Sequence, residues 1–126
     1  MNRYNIKKGK WGEDKAEAFL KKKGYSIIER NYRCRWGEID IIAERDGTIH
    51  FVEVKTRRMS VQAPPQENVG RTKQARIAKA AGQYLKSAKG LPYGNLECMF
   101  DVVAITFKGG KAHTEWIPQA YIPIYI

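Results

Sequence analysis

The chain has 126 residues and carries 23 Lys+Arg against 13 Asp+Glu, a formal net charge of +10. This length predicts a single domain over residues 1–126, and a hydrophobic content of 43% is typical of a folded protein, which excludes wholesale disorder. The two cysteines exclude a disulfide framework and a paired zinc motif, and no apolar run reaches the roughly 20 residues of a membrane span. We therefore expect a cytoplasmic protein with no membrane partner.

The first half of the chain predicts one helix followed by three strands. A basic arm at 1–9 precedes the helix, Gly24 is a natural helix stop, and Asp46-Gly47 is typical of a tight hairpin turn between neighbouring strands. In chain order, we place these elements at about 10–23, 25–35, 38–44 and 48–56.

The second half predicts one further helix and two strands. The stretch at 57–70 has no apolar periodicity and contains Pro64-Pro65, so we expect a mobile loop there. The helix and the two strands are expected at about 72–89, 98–107 and 112–117. An apolar tail at 118–126 follows them. The resulting order, αβββαββ, predicts an α/β domain with a mixed sheet.

Charge is distributed unevenly along the chain. Residues 36–56 carry a net charge of −3, whereas the flanking segments 1–35 and 57–90 each carry +7. An acidic centre between two basic segments predicts a polyanionic partner, with carboxylates placed where that polyanion would lie. The alternative is an ordinary solvated surface of mixed charge.

Acidic residues interrupt two of the apolar strands. Asp40 lies within the second strand and Glu53 within the third, and the hairpin makes these strands antiparallel neighbours. Because side chains alternate along a strand, Glu53 and Lys55 project from the same face. Glu13 lies on or beside the core-facing stripe of the first helix. We therefore expect these carboxylates to approach one another.

Clustered carboxylates predict a site for a divalent cation. Such a cluster in a partly buried place costs several kcal/mol unless its charge is compensated. Oxygen donors without a suitable Cys/His set favour Mg²⁺ or Mn²⁺ over zinc. The alternative is a structural ion pair of Lys55 with Glu53 or Asp40. The other candidates are interpreted as ordinary surface, turn or strand residues: Glu38, Glu44, Asp46, His50 and His113. Trp11 and Trp36 are interpreted as packing residues, with stacking on unpaired bases as the alternative.

Motifs spread over about 9–105 form a recognisable set. They are GxxGE at 9–13, GEIDIIA at 37–43, FVEVKTR at 51–57, Lys73 at the start of the second helix, and FDVVAI at 100–105. This set resembles the PD-(D/E)XK nuclease superfamily. More narrowly, it resembles the YraN family of small bacterial proteins, which are related to archaeal Holliday-junction resolvases.

The resemblance implies a restriction-endonuclease-like fold, in which helices flank a mixed central sheet. It also implies an Mg²⁺ or Mn²⁺ site formed by Glu13, Asp40, Glu53 and the backbone carbonyl of Val54. Lys55 would assist the attacking water, so the implied catalytic residues are Asp40, Glu53 and Lys55. Resolvases of this type act as dimers, and a homodimer is implied as well.

Charge and motifs together predict a metal-dependent endonuclease that hydrolyses phosphodiester bonds in branched, flapped or single-strand-containing DNA, without a small-molecule cofactor. The basic residues expected to contact phosphates are Lys7, Lys8, Arg57, Arg58, Lys73, Arg76, Lys79 and Lys86. One alternative is a non-catalytic nucleic-acid-binding module with the same fold. A second alternative is a scaffold protein that pairs with another chain through its apolar tail.

Overall fold

The computed structural model describes the backbone of residues 3–58 and 70–117 and the side chains of residues 10–56 and 70–117. Most of the expected mobile loop and the whole apolar tail lie outside these residues. The elements, in chain order, are α1 (Arg3–Lys22), β1 (Ser26–Cys34), β2 (Gly37–Arg45), β3 (Thr48–Arg58), α2 (Arg71–Lys86), a 3-10 turn (Leu91–Tyr93), β4 (Glu97–Lys108) and β5 (Lys111–Ile117).

The five strands form one mixed sheet in the order β1-β2-β3-β4-β5. Neighbouring strands are antiparallel except β3 and β4, which are parallel from Thr48↔Glu97 to Arg58↔Phe107. Parallel neighbours need a crossover connection, and α2 lies between these two strands in the chain. The structure thus confirms the predicted mixed sheet with two helices in the order αβββαββ, which is consistent with a nuclease-like fold.

Each helix contributes to a separate apolar core, and the two cores use alternate residues of the sheet. Phe51 belongs to the cluster that contains Ile77 and Tyr84 of α2, which we call the α2-side core. The next residue, Val52, belongs to the cluster that contains Leu20 of α1, the α1-side core. Because both faces are covered, the central strands are apolar on both sides, which explains their nearly continuous apolar sequences.

Each helix differs at one end from the sequence expectation. α1 begins at Arg3, earlier than expected, because Gly9, the glycine in this added first part, costs only about 1 kcal/mol and does not stop a helix. α2 ends at Lys86, earlier than expected, since Ser87 has an extended backbone and its hydroxyl donates a hydrogen bond to the Tyr84 carbonyl at 2.5 Å. Over the described ranges, neither helix is both long and apolar enough to cross a membrane.

The β2–β3 hairpin has the turn that its sequence predicts. Asp46 and Gly47 both have positive φ angles, 50° and 77°, and Arg45 pairs with Thr48 across the turn. Two successive positive φ angles match the right-handed twist of neighbouring strands, and Asp-Gly adopts them at little cost. The turn fixes the register that carries the acidic residues of β2 and β3 toward each other.

Candidate functional site

The pairing of β2 with β3 changes at Asp40. The regular register runs from the hairpin to Ile41↔Val52. Beyond that pair, the carboxylate Oδ2 of Asp40 accepts a hydrogen bond from the Val54 backbone N–H at 2.8 Å. Ile39 packs in the α2-side core, whereas Ile41 packs in the α1-side core, so the alternation of β2 is interrupted at this point. The interruption holds the Asp40 carboxylate beside β3, where a backbone carbonyl would otherwise lie.

A cavity of about 420 Å³ opens beside this interruption, between β2, β3 and the first turns of α2. Asp40 and Glu53, which the sequence predicts to approach each other, both line it. The complete lining is Trp36, Gly37, Glu38, Asp40, Glu53, Thr72, Lys73, Arg76 and Ile77. The cavity therefore brings carboxylates from the sheet next to cations from a helix.

Glu53 projects from β3 into this cavity and is only 8% exposed. Its Oε1 lies 2.5 Å from the Nζ of Lys73, in the first turn of α2. Lys73 was expected to contact phosphate, and here it compensates a buried carboxylate. Lys55 lies two residues further along β3, and its side chain is half-buried. Glu53 therefore has a cationic partner on α2.

A group of three carboxylates adjoins the cavity. One oxygen each of Glu13, Glu38 and Asp40 lies within 4.8 Å of the others. Such a spacing allows several oxygens to reach one small cation. Glu13 thus reaches Asp40, as the resemblance implies, and Glu38 joins them although it was interpreted as a surface residue.

Glu13 is positioned by two features of α1. Arg30 of β1 lies 3.3 Å from the Glu13 carboxylate and 2.7 Å from that of Asp14. Gly12 brings α1 so close to β3 that a Cβ atom there would lie 2.1 Å from Thr56 Oγ1. Glycine at this position allows the close approach that brings Glu13 to the carboxylates of β2.

Burial and neighbouring acids raise the pKa of Asp40 to about 7. Loss of solvation is the main cause, and the charges of Glu53, Glu13 and Glu38 act in the same direction. The hydrogen bond from Val54 opposes the shift because it stabilises the ionised form. Burial and the neighbouring acids together therefore favour the protonated form of Asp40.

The basic residues expected to contact phosphates fall into two groups. Lys73 and Arg76 line the cavity, Lys79 lies over the Trp36 ring with its Nζ 4.4 Å from the ring centroid, and Lys86 is exposed at the end of α2. The other four residues have side chains outside the described part of the chain: Lys7, Lys8, Arg57 and Arg58. The described group forms a stripe along α2 that starts at the cavity.

Two residues lie at the site although their sequence positions did not predict them there: Glu38 and Trp36. Glu38 shares the strand face of Asp40 in the expected alternation, and this was the available sign of its proximity. Trp36 was interpreted as a packing residue, yet it lines the cavity. His50 faces away from Glu53, in keeping with the alternation of side chains along β3, and its Nδ1 lies 2.5 Å from Asp101 Oδ2 in the α1-side half of the sheet. No sequence signal paired His50 with Asp101, because they are 51 positions apart.

Comparison with known proteins shows similarity along most of the chain. A model for "Uncharacterised protein family UPF0102" matches residues 12–105, which include the carboxylates of the cavity. The UPF0102 protein of Syntrophus aciditrophicus is 46% identical over 117 residues, which cover 93% of this chain and 90% of that protein. The relatives from Syntrophomonas wolfei and Geobacter metallireducens are each 44% identical, covering 93% and 96% of this chain and 99% and 97% of their own lengths. The family resemblance is thereby confirmed, and the chain belongs to UPF0102, the YraN family.

Proposed function

We propose that this protein is a metal-dependent endonuclease that hydrolyses phosphodiester bonds in branched or flapped DNA. The observation that carries the proposal is the position of Asp40. Its carboxylate lies within 4.8 Å of the Glu13 and Glu38 carboxylates, and it lines one cavity together with Glu53 and the cationic start of α2. Carboxylates for a cation beside basic groups for a phosphate are the two components that such a hydrolase needs.

The donor set is suited to a hard divalent cation. Carboxylate oxygens favour Mg²⁺ or Mn²⁺, and the raised pKa of Asp40 reflects loss of solvation together with the neighbouring acids, a cost that a bound cation would offset. Asp40, Glu53 and Glu13 would hold the ion with the Val54 carbonyl, and Glu38 is an additional candidate. When bound, the ion would lower the pKa of a coordinated water and offset charge on the phosphate.

The protein's own residues contribute orientation and charge. The Val54 N–H fixes the direction of the Asp40 carboxylate, and Arg30 holds Glu13. In the proposed mechanism, Lys55 orients the attacking water or stabilises the negative charge that develops on the phosphate. The Lys73 side chain is half-exposed, so its ammonium group would leave Glu53 and bind a phosphate oxygen when substrate binds.

Cleavage assays test this proposal directly. Labelled linear, flapped and four-way-junction DNA would be incubated with Mg²⁺, Mn²⁺ or EDTA. We expect metal-dependent cutting of one branched shape and a loss of at least about 100-fold in Asp40→Asn and Glu53→Gln. Glu44→Gln, also on β2 but at the hairpin end, is the charge-matched control and should cut normally. Equal cutting by all variants would point to a contaminating nuclease.

One observation favours the alternative of a non-catalytic nucleic-acid-binding module. The Lys73–Glu53 ion pair already compensates a carboxylate that catalysis would need for the metal. For such a module we expect tight, salt-sensitive DNA binding, no cutting of any shape, and no increase in the unfolding temperature with Mn²⁺. A metal-dependent increase that Asp40→Asn abolishes would favour the enzyme.

A further inference from the structure

Trp36 occupies an unusual place at the cavity that holds Asp40 and Glu53. Part of its side chain packs against the α2-side core, and the residue also lines the cavity. Two cations lie over its ring, with Lys79 Nζ 4.4 Å and the Arg35 guanidinium carbon 4.6 Å from the centroid. The ring is therefore anchored at one side and contacted elsewhere by long, flexible charged side chains.

The other tryptophans are held differently. Trp11 stacks on Phe107 with ring centroids 4.7 Å apart and an interplanar angle of 21°. Trp116 packs edge-on against Tyr25, and its indole nitrogen is buried. Both therefore have aromatic partners in or beside the α1-side core. Trp36 combines a cavity position with partners that a ligand can displace.

We propose that Trp36 is a stacking site for an unpaired nucleobase. The protein then recognises a single-stranded nucleotide beside the phosphate that it cleaves. This inference rests on the proposed function. Every nucleobase has an aromatic face, so stacking on tryptophan gives affinity for single strands without sequence preference. Duplex bases are already stacked on their neighbours and cannot offer that face.

The surroundings of the ring agree with this role. Lys79 and Arg35, displaced from the ring by a base, would lie within reach of the phosphates that flank it. Arg76 and Lys73 line the same cavity as Trp36 and Glu53. The volume of about 420 Å³ falls in the range of roughly 300–1,000 Å³ that is usual for small-ligand pockets. A volume of this size is sufficient for one extruded nucleotide.

Binding measurements with the full chain test the inference. Labelled single-stranded, flapped and fully duplex DNA would be titrated in EDTA and again in Ca²⁺. We expect Trp36→Leu to weaken binding of the single strand and the flap by about 5- to 150-fold, and of the duplex by less than about 2-fold. Trp36→Phe keeps an aromatic face and should retain most of the affinity.

Tryptophan fluorescence gives a second readout that does not depend on the leucine variant folding well. Single-stranded DNA should quench the emission of the native chain, and Trp36→Phe should remove most of this quenching, since Trp11 and Trp116 pack against other aromatic rings. Unchanged quenching in Trp36→Phe, or equal losses for duplex and single strand in Trp36→Leu, would overturn the stacking site while leaving the nuclease proposal intact. Failure of the native chain to bind any DNA at low salt would overturn both.

Discussion

Asp40 is the residue whose titration reports most directly on the electrostatics of the site. Its carboxyl group is half-buried beside three other acids, and its pKa is raised from 3.8 to about 7. A raised pKa means that the native state binds this proton more tightly than the unfolded chain does. The stabilising contribution of the proton is therefore complete below about pH 3.8 and is lost as the pH rises through about 7.

We expect Asp40→Asn to stabilise the metal-free protein increasingly as the pH rises. Asparagine keeps an oxygen that accepts the Val54 N–H but carries no charge. Its advantage in the free energy of unfolding should grow between about pH 4 and pH 7 and level off near a limit of roughly 4 kcal/mol. Urea unfolding in EDTA at several pH values measures this, with Glu44→Gln as the control.

Addition of Mg²⁺ at pH 8 should reduce the stability advantage of Asp40→Asn. The ion would stabilise the unsubstituted protein, which has the ionised Asp40 carboxylate, but not the variant. A stability difference that is the same at every pH would show that Asp40 is not held in an unfavourable ionised state.

At the scale of elements, α1 must approach β3 closely for Glu13 to reach Asp40. Gly12 is the point of contact, and Gly12→Ala would place a methyl group 2.1 Å from Thr56 Oγ1. We expect a loss of about 1–3 kcal/mol in the free energy of unfolding, together with weaker Mn²⁺ binding, because α1 would carry Glu13 away from the site. Calorimetric unfolding and Mn²⁺ titration measure the two effects.

The double variant Gly12→Ala/Thr56→Ala separates this contact from a general effect on the helix. Removal of the Thr56 hydroxyl eliminates the shortest clash, so the double variant should recover part of the lost stability and Mn²⁺ affinity. Strictly additive losses would contradict the proposed contact.

Replacement by alanine should change the stability in opposite directions at Gly82, within α2, and at Gly90, which follows the helix. A Cβ at Gly82 meets no atom within 4 Å, so Gly82→Ala should stabilise the helix by about 1 kcal/mol. A Cβ at Gly90 would lie 1.9 Å from the Tyr84 carbonyl oxygen, so Gly90→Ala should destabilise the protein by about 1–3 kcal/mol. Denaturant unfolding of both variants checks the pair, and losses of equal size would refute the packing described for Gly90.

Most elements could be predicted from local sequence because their signals are local. Asp46-Gly47 fixes a turn, and apolar periodicity identifies the helices and strands. The interruption of β2 at Asp40 could not be predicted, since it depends on a side chain replacing a backbone partner on β3. The Lys73–Glu53 pair was missed for a similar reason, because it depends on how α2 packs after a crossover. Thus Glu13, Asp40 and Glu53 were accessible from sequence, whereas Glu38 and the cationic partners needed the fold.

At the scale of the whole molecule, the effect of the net charge of +10 on DNA binding depends on the positions of the cationic side chains. The stripe along α2 starts at the cavity with Lys73 and Arg76 and ends with Lys86. Lys108 and Lys111 are also exposed, but they flank the β4–β5 turn at the edge of the sheet. If the proposed nuclease binds DNA along α2, only the first group should contact phosphates.

Salt dependence of DNA binding distinguishes these two groups. Each phosphate contact releases counterions, so Arg76→Ala and Lys86→Ala should each reduce the slope of log affinity against log salt concentration by about 1. Lys111→Ala removes the same formal charge and should leave the slope nearly unchanged, because a distant charge acts only through the screened field of the molecule. Fluorescence anisotropy between 50 and 200 mM salt measures these slopes. If the protein contacts 6–10 phosphates, its affinity for DNA should fall by about 10³–10⁵-fold over this range. Equal reductions in all three variants would mean that net charge alone attracts the DNA, and the α2 stripe would then not be the binding surface.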